Sequence, residues 1–276
     1  IGDWSSDVCS SDLILDFYFV YHLNMKIEGV AIASLIAEYS VIFFVFYIFY
    51  TDKLLKYFDL SDIFDWQTIK GKLIINFDMF IRSFILMTCF AYFVSKGASY
   101  GNITLAANTI LLNFFFIYSY AIDGFAHASE SLVGEAYGKK NKKDLRAAIF
   151  ATGKFSLYLS IIFIFILATS SDFIIKIITN LDLVQLDANL YLKWLLSIFI
   201  FGTVAFWLDG VFIGLLFTKI MRNIMIVSGI FFIVFEQLIL ESNNEGLWIS
   251  FLIFFIIRSI LLSHSLYQGI RKNLYV

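Results

Sequence analysis

The stretch LAANTILLNFFFIYSYAIDGFAHASESLVGEAYGKKN, residues 105–141, decides the fold class of this chain. Its first half is apolar. Its second half carries isolated polar residues at helical spacing and ends in lysines. A helix of about twenty mostly apolar residues crosses the core of a bilayer. The stretch is therefore typical of a membrane-spanning helix that carries polar groups within the span and ends at a basic loop.

The rest of the chain repeats this pattern. Of its 276 residues, 60% are hydrophobic and 15% are charged, whereas soluble domains carry roughly 25% charged residues. Apolar blocks of about twenty residues predict an all-α polytopic membrane protein, and the alternating ten-residue segments of an outer-membrane barrel are not found. The sequence has no phosphate-binding loop, no metalloprotease or serine-hydrolase motif and no Cys/His cluster, so it does not favour an enzyme.

The apolar blocks divide the chain into spans. A helix end is predicted over about 14–23, and a full span over about 29–50. The segment 51–72 is too charged to span a bilayer and is predicted to be an amphipathic interfacial connector. Six further spans are predicted over about 73–95, 103–136, 147–170, 186–217, 222–240 and 246–268.

Basic residues mark alternate ends of these spans. The connector and every second segment after it, up to the C-terminal one, together hold 13 of the 20 basic residues. These are Lys53, Lys56, Lys70, Lys72, Lys139, Lys140, Lys142, Lys143, Arg146, Lys219, Arg222, Arg271 and Lys272. Because Lys and Arg favour the cytoplasmic side, the alternation predicts a cytoplasmic connector and a cytoplasmic C-terminus. The run GKKNKKDLR at 138–146 has a second interpretation, as a patch for lipid or nucleic acid, but the topology signal is favoured.

The second half of the opening stretch carries three ionisable groups on one helix face. Asp123, His127 and Glu130 fall within about 60° of arc, because each residue turns the helix by about 100°. The same stripe includes Ser119, Tyr120 and Gly134. Such a stripe does not face lipid, so it indicates either a water-filled cavity or a buried structural network. One His and two acids on one helix are not a metal-binding signature, and no metal site is predicted.

Two further spans carry charges. Asp78 and Arg82 are four residues apart, which predicts an ion pair on one helix face, with a structural role or a gating role. Asp209 has no basic residue within a turn, so it is predicted to be protonated or paired with a coupling ion. Gly210 and Gly214 after it form a small-xxx-small pair that favours close helix packing.

Glu236 and Arg258 lie on the last two predicted spans, and we expect that they pair with each other. Such a pair would lower the cost of two charges in the membrane.

Three segments closely resemble the multidrug and toxin extrusion (MATE) family, and its DinF-like branch in particular. They are NFDMFIRSFILM (76–87), the stretch quoted above (105–141) and WLDGVFIGLLFTKIMRNIMIVS (207–228). VYHLNMKIEGVAIASLIAEY (20–39) is similar to the region from helix five into helix six of the same family. The likeness is nearly continuous from Ile14 to the end of the chain.

The resemblance implies a twelve-helix fold of two six-helix lobes. In that frame, 14–50 holds the end of helix five and helix six, 51–72 joins the lobes, and 73–272 is the second lobe, helices seven to twelve. Residues 273–276 form a cytoplasmic tail. The chain is then expected to lack most of the first lobe.

The resemblance also implies a function, that of a secondary antiporter of a bacterial cytoplasmic membrane. It would export cationic or amphiphilic drugs or metabolites by alternating access, in exchange for H⁺ or Na⁺ and without another cofactor. Asp209 matches a carboxylate of helix ten that the family uses for cation coupling, and Asp123, Glu130, His127 and Tyr120 are expected in the cavity. The expected partners are the substrate and the bilayer, with no nucleic acid and a monomeric full-length protein. Two alternatives stay open, a flippase for lipid-linked precursors and a non-functional truncated product.

The first thirteen residues are polar and aperiodic and precede the resemblance. DWSSDVCSSDL, residues 3–13, resembles the translation of a short-read sequencing adaptor. We therefore expect that 1–13 is a non-native leader fused to a truncated gene.

Overall fold

The computed structural model describes residues 14–15, 17–22, 25, 27–51, 66–238 and 243–271, and the elements in these ranges are all helical. The leader 1–13, most of the connector (52–65), the last residue of the predicted second lobe (272) and the tail 273–276 lie outside the described residues. The chain divides into two units, Ile1–Lys70 and Gly71–Val276. The all-α fold expected from the apolar blocks is confirmed.

The first unit contains a five-residue π-helical turn, Tyr18–His22, and helix α1, Ile27–Thr51. The amide of Met25, which precedes α1, donates a hydrogen bond of 3.1 Å to the Phe19 carbonyl in the turn. These two elements lie where the sequence predicts a helix end and a full span. The last residues of the predicted connector, from Trp66 onward, belong to the next helix.

Six long helices follow in the chain, and all of them lie in the second unit except for the first residues of α2, 66–70. They are α2 (Trp66–Ser99), α3 (Asn102–Gly138), α4 (Lys142–Ile178), α5 (Asp182–Gly214), α6 (Thr218–Leu238) and α7 (Asn244–Arg271). By length and composition, six helices of the described chain can each cross a membrane. The six predicted spans are therefore confirmed, and most of the helices extend past their apolar blocks by a turn or two.

Helix α5 ends earlier than its apolar block. The fourth span of this unit was expected to end at about residue 217, but α5 ends at Gly214. Leu216 has a φ of 61°, in the left-handed region, and the Phe217 amide donates to the Phe212 carbonyl at 3.0 Å. This closed turn ends the helix although the sequence there remains apolar, because the apolar pattern carries no information on the turn.

Helices α3, α5 and α7 form the centre of the second unit, and their side chains make two apolar clusters. The first is rich in aromatic rings, among them Phe115, Phe251 and Phe255. The second lies toward the α3–α4 loop and includes Leu208 and Leu262. The two clusters meet along α5 and α7 at the residues that carry the buried charges described below.

Helix α2 is attached to the other helices mainly by side chains. Gly229 of α6 leaves space for Ile85 and Cys89 of α2, since a Cβ there would lie 2.9 Å from the Cγ2 atom of Ile85. Ion pairs at two levels join the same two helices. The outer position of α2 makes these polar contacts important for holding it in the bundle.

Candidate functional site

Asp209 lies at the centre of a buried charge cluster. Its Oδ2 atom accepts hydrogen bonds from the Nη2 atoms of both Arg82 and Arg258. Asp209 is 4% exposed and Arg258 is 1% exposed. Because Arg82 is on α2, Asp209 on α5 and Arg258 on α7, one carboxylate connects three helices.

This geometry corrects the interpretation of Asp209 as a carboxylate without a basic partner. Arg82 precedes it by 127 residues, and Arg258 follows it by 49 residues. Neither partner lies within one helical turn of Asp209 in the sequence, because each arginine side chain extends from a different helix across the gap between packed helices. The one available signal was the presence of two unexplained arginines in apolar spans, where an unpaired charge is costly.

Asp78 and Arg82 do not form the ion pair expected from their spacing. Asp78 instead binds Arg222 of α6, whose Nη1 atom donates to Oδ1. Thr218, also on α6, donates to the Oδ2 atom of Asp78 at 3.2 Å. The spacing places both charges on one face of α2, but that face meets charged groups of two other helices, and each residue pairs outward.

The expected pair of Glu236 with Arg258 is also wrong. Glu236 accepts a hydrogen bond of 2.5 Å from the Tyr92 hydroxyl and lies 3.2 Å from the Nζ atom of Lys96. Tyr92 and Lys96 are four residues apart on α2, which was a usable signal in the sequence. Arg258 lies deeper in the bundle and reaches Asp209.

The cluster around Asp209 has one more positive charge than negative charge. Two of its buried N–H groups, Arg82 Nε and Arg258 Nη1, have no hydrogen-bond partner among the described residues. Asp123 of α3 interacts electrostatically with both arginines and with Asp209. Counted with Asp123, the cluster is neutral, although Asp123 forms no ion pair with either arginine among the described residues.

The polar stripe of α3 begins at this cluster and continues to the surface of the second unit. Asp123 and Glu130 are half-buried, while Tyr120 and His127 are exposed. The Nδ1 atom of His127 lies 3.7 Å from the Oε2 atom of Glu130. Asp123, at the inner end of the stripe, thus interacts with Asp209 only through space, and Tyr120 and His127 are accessible.

The two glycines after Asp209 lie against the backbone of α3. A Cβ atom on Gly210 would lie 2.1 Å from the Ala126 carbonyl oxygen, and one on Gly214 would lie 2.7 Å from the Glu130 carbonyl oxygen. The helices can approach this closely only where no side chain intervenes. This contact positions Asp209 next to the turn of α3 that carries the polar stripe.

The MatE family model matches residues 77–238, a little more than half of the chain. The chain belongs to the MatE family. The match includes Asp78, Arg82, Asp123 and Asp209, and it ends before Arg258. The resemblance inferred from the sequence is therefore confirmed.

A relative of this MatE chain is DNA damage-inducible protein F of Escherichia coli strain K12, which is 30% identical over 260 residues. The alignment covers 91% of this chain and 55% of that protein. The chain thus spans about half the length of this relative. The kinship to the DinF-like branch agrees with the sequence resemblance.

Solved structures show the same fold. One is the outward-facing conformation of a multidrug resistance MATE family transporter of the MOP superfamily, with a TM-score of 0.80 and 18% identity. Another is the Vibrio cholerae MATE transporter VcmN in the bent form, with a TM-score of 0.79 and 19% identity. The alignments cover 96% and 99% of the MatE chain, and 61% and 63% of the two structures. At these identities the likeness concerns the fold.

Proposed function

We propose that this chain forms the greater part of a secondary active antiporter that exports small cationic or amphiphilic compounds in exchange for H⁺ or Na⁺. Membership of the MatE family and six helices of spanning length support transport across a bilayer rather than catalysis. The observation that carries the proposal is the charge cluster of Asp209, Arg82 and Arg258, extended by the stripe on α3. Charges at this depth are costly and mark ion or substrate pathways in membrane proteins.

In this proposal Asp209 is a fixed anchor and Asp123 is the carboxylate that exchanges ions. Two guanidinium groups already bind Asp209, so a proton or Na⁺ would have to displace one of them. Asp123 is half-buried and lies on the stripe that leads to the surface. A proton on Asp123 removes its negative charge, and the two arginines then make the site less favourable for a cation. Proton binding and cation binding at Asp123 thus exclude each other, which is the requirement for antiport.

The exposed part of the stripe suits the expected substrates. Tyr120 offers an aromatic face to a cation, and Glu130 beside His127 offers a second negative charge. These groups favour cationic amphiphiles over neutral solutes.

The proposed site is tested by transport in a full-length MatE protein that carries this sequence, reconstituted in liposomes with a pH or Na⁺ gradient. Asp123→Asn should reduce gradient-driven export of a fluorescent cation at least tenfold and remove its pH dependence, while the variant folds normally. Asp172→Asn is the matched control, because Asp172 is an exposed carboxylate on α4. Unchanged export by Asp123→Asn under both gradients would contradict the role of Asp123.

A flippase for lipid-linked precursors is the second candidate. The excess of Arg82 and Arg258 over Asp209 favours it, because a pyrophosphate head group needs cationic partners. The same liposomes separate the two functions when they contain a labelled lipid pyrophosphate. Export of the cation without translocation of this lipid is the expected result.

The basic residues support a proposal for the orientation in the membrane. Lys139, Lys143, Lys219 and Arg271 are exposed at one end of the six-helix bundle. We place this end, and the C-terminus with it, on the cytoplasmic side of a bacterial cytoplasmic membrane.

A further inference from the structure

A basic patch covers the loop between α3 and α4. It consists of Lys139, Lys140, Lys142, Lys143 and Arg146, all of them exposed. The nearest carboxylates are Glu135 and Asp144, so the patch has an excess of three positive charges. The patch is denser than the other basic segments at this end, because its five basic residues lie within eight positions, whereas the four of the connector are spread over 53–72 and the last two segments hold two each.

The two carboxylates are already engaged. The Oε1 atom of Glu135 accepts a hydrogen bond of 2.5 Å from the Nζ atom of Lys139. This bond holds the pKa of Lys139 above its ordinary value. Asp144 accepts a hydrogen bond of 2.7 Å from the Asn141 side chain, which also caps α4.

Three cations of the basic patch remain for an external anion. Within the described part of the chain, Lys140, Lys143 and Arg146 have no ion pair. Lys140 has a φ of 53° and marks the sharp turn between α3 and α4. The start of α4 adds the positive end of its helix dipole to the same place.

An apolar groove of about 370 Å³ opens directly beside the basic patch. Its walls come from α3 and α4, namely Leu132, Ala136, Ala147, Ala148 and Ala151, with Glu135, Lys139 and Asp144 among its lining residues. Four alanines on two packed helices leave a channel that long side chains would fill. The groove therefore combines a charged rim with an apolar wall.

The position of this groove in the membrane is set by the two helices that form it. Both α3 and α4 are long and apolar enough to span, and their apolar blocks end at about residue 136 and begin at about residue 147. We therefore expect the groove at the boundary between hydrocarbon and water, with the loop on its water side. Phospholipid head groups occupy this boundary, with the phosphate next to water and the glycerol and acyl chains below it.

We propose that the basic patch and the adjoining groove bind an anionic phospholipid. The head-group phosphate is bound by Lys140, Lys143 and Arg146, and the first part of an acyl chain lies along the alanines. A nucleic acid would use the charges but not the groove, which is why the geometry favours a lipid. This site is independent of the transport site, because it involves neither Asp123 nor Asp209.

The test is lipid retention by the purified chain. Equal amounts of phosphatidylglycerol and phosphatidylcholine are added in detergent, and native mass spectrometry counts the lipids that stay bound. A basic residue near an anionic surface changes binding by about fivefold. The wild type should prefer phosphatidylglycerol at least tenfold, and K140Q/K143Q/R146Q should lose this preference.

Two matched controls separate charge from side-chain identity and from position. K140R/K143R/R146K keeps the charges and should keep the preference. Lys176→Gln removes an exposed cation at the other end of α4 and should have no effect. Equal retention of both lipids by the wild type, or an unchanged preference in the glutamine variant, would overturn the proposal.

The groove is tested separately. Ala151→Phe should fill the groove and lower phosphatidylglycerol retention, although all five cations of the basic patch are still present. Ala168→Phe on the same helix should not lower it, because Ala168 is exposed outside the groove. Displacement of the lipid by soluble glycerol phosphate or by an oligonucleotide, at concentrations equal to the lipid, would show that charge alone acts and would also overturn the assignment.

Discussion

Asp209 shares its carboxylate between Arg82 and Arg258, and so three helices depend on one side chain. A buried ion cluster contributes little net stability as a whole, but the removal of one member leaves charges that the interior cannot solvate. The same residue is expected from its family resemblance to couple ion flow. Its two arginine partners explain why we assign coupling to Asp123 instead.

We predict that Asp209→Asn destabilises the chain by about 3–5 kcal/mol, because two buried guanidinium groups lose their counter-charge. The measurement is thermal unfolding of the purified chain in detergent. Asp172→Asn, an exposed carboxylate, should stay within about 0.5 kcal/mol of the wild type. The double variant D209N/R258M should recover part of the lost stability. An unfolding midpoint of Asp209→Asn equal to that of the wild type would refute the anchor role.

Helices α3 and α5 pack closely where two glycines of α5 face the backbone of α3. Gly210 meets the backbone of Ala126, and Gly214 meets the backbone of Glu130 and Gly134. A side chain at either position cannot be accommodated by a rotamer change alone, because the opposing atoms are backbone atoms. Small residues therefore set the distance between these two helices, and with it the position of Asp209 beside the polar stripe.

We predict that Gly210→Ala destabilises the chain by about 1–3 kcal/mol, the usual cost of overpacking. Gly124→Ala is the matched control on α3, because a Cβ there meets nothing within 4 Å. This control should be neutral or gain up to about 1 kcal/mol from helix propensity. Equal stabilities of the two variants would show that the close contact has no energetic weight.

At the scale of the six-helix unit, α2 is attached to α6 by charged groups at two levels. Asp78 binds Arg222 near one end, and Glu236 binds Tyr92 and Lys96 near the other. Tyr92 follows Asp78 by as many residues as Glu236 follows Arg222, so the two helices run parallel and the contacts lie about 21 Å apart along them. These paired contacts hold a peripheral helix in register.

We predict an energetic coupling between Asp78 and Arg222 but none between Asp78 and Arg82. Double-mutant cycles with alanine at both positions should give a coupling of about 0.5–3 kcal/mol for the first pair. For the second pair the coupling should be below about 0.5 kcal/mol, although these residues are only four apart on one helix. Unfolding in detergent supplies the stabilities, and the reverse ranking would contradict the observed pairing.

The number and location of the spans were determined by the sequence alone. Each span has to satisfy its own backbone hydrogen bonds and to present about twenty apolar residues to lipid, so the information is local to the segment. The family resemblance carried by residues 76–87, 105–141 and 207–228 was likewise readable from the sequence. The polar stripe of α3 follows from helical spacing for the same reason.

Only the tertiary structure decided which charges meet. Arg82 reaches Asp209 across 127 positions of sequence, and Arg222 reaches Asp78 across 144. Helical periodicity shows which residues share a face, but it does not show which neighbouring helix packs against that face. An arginine side chain is long enough to bind a carboxylate on another helix, and the packing of α2, α5, α6 and α7 determines which carboxylate it binds.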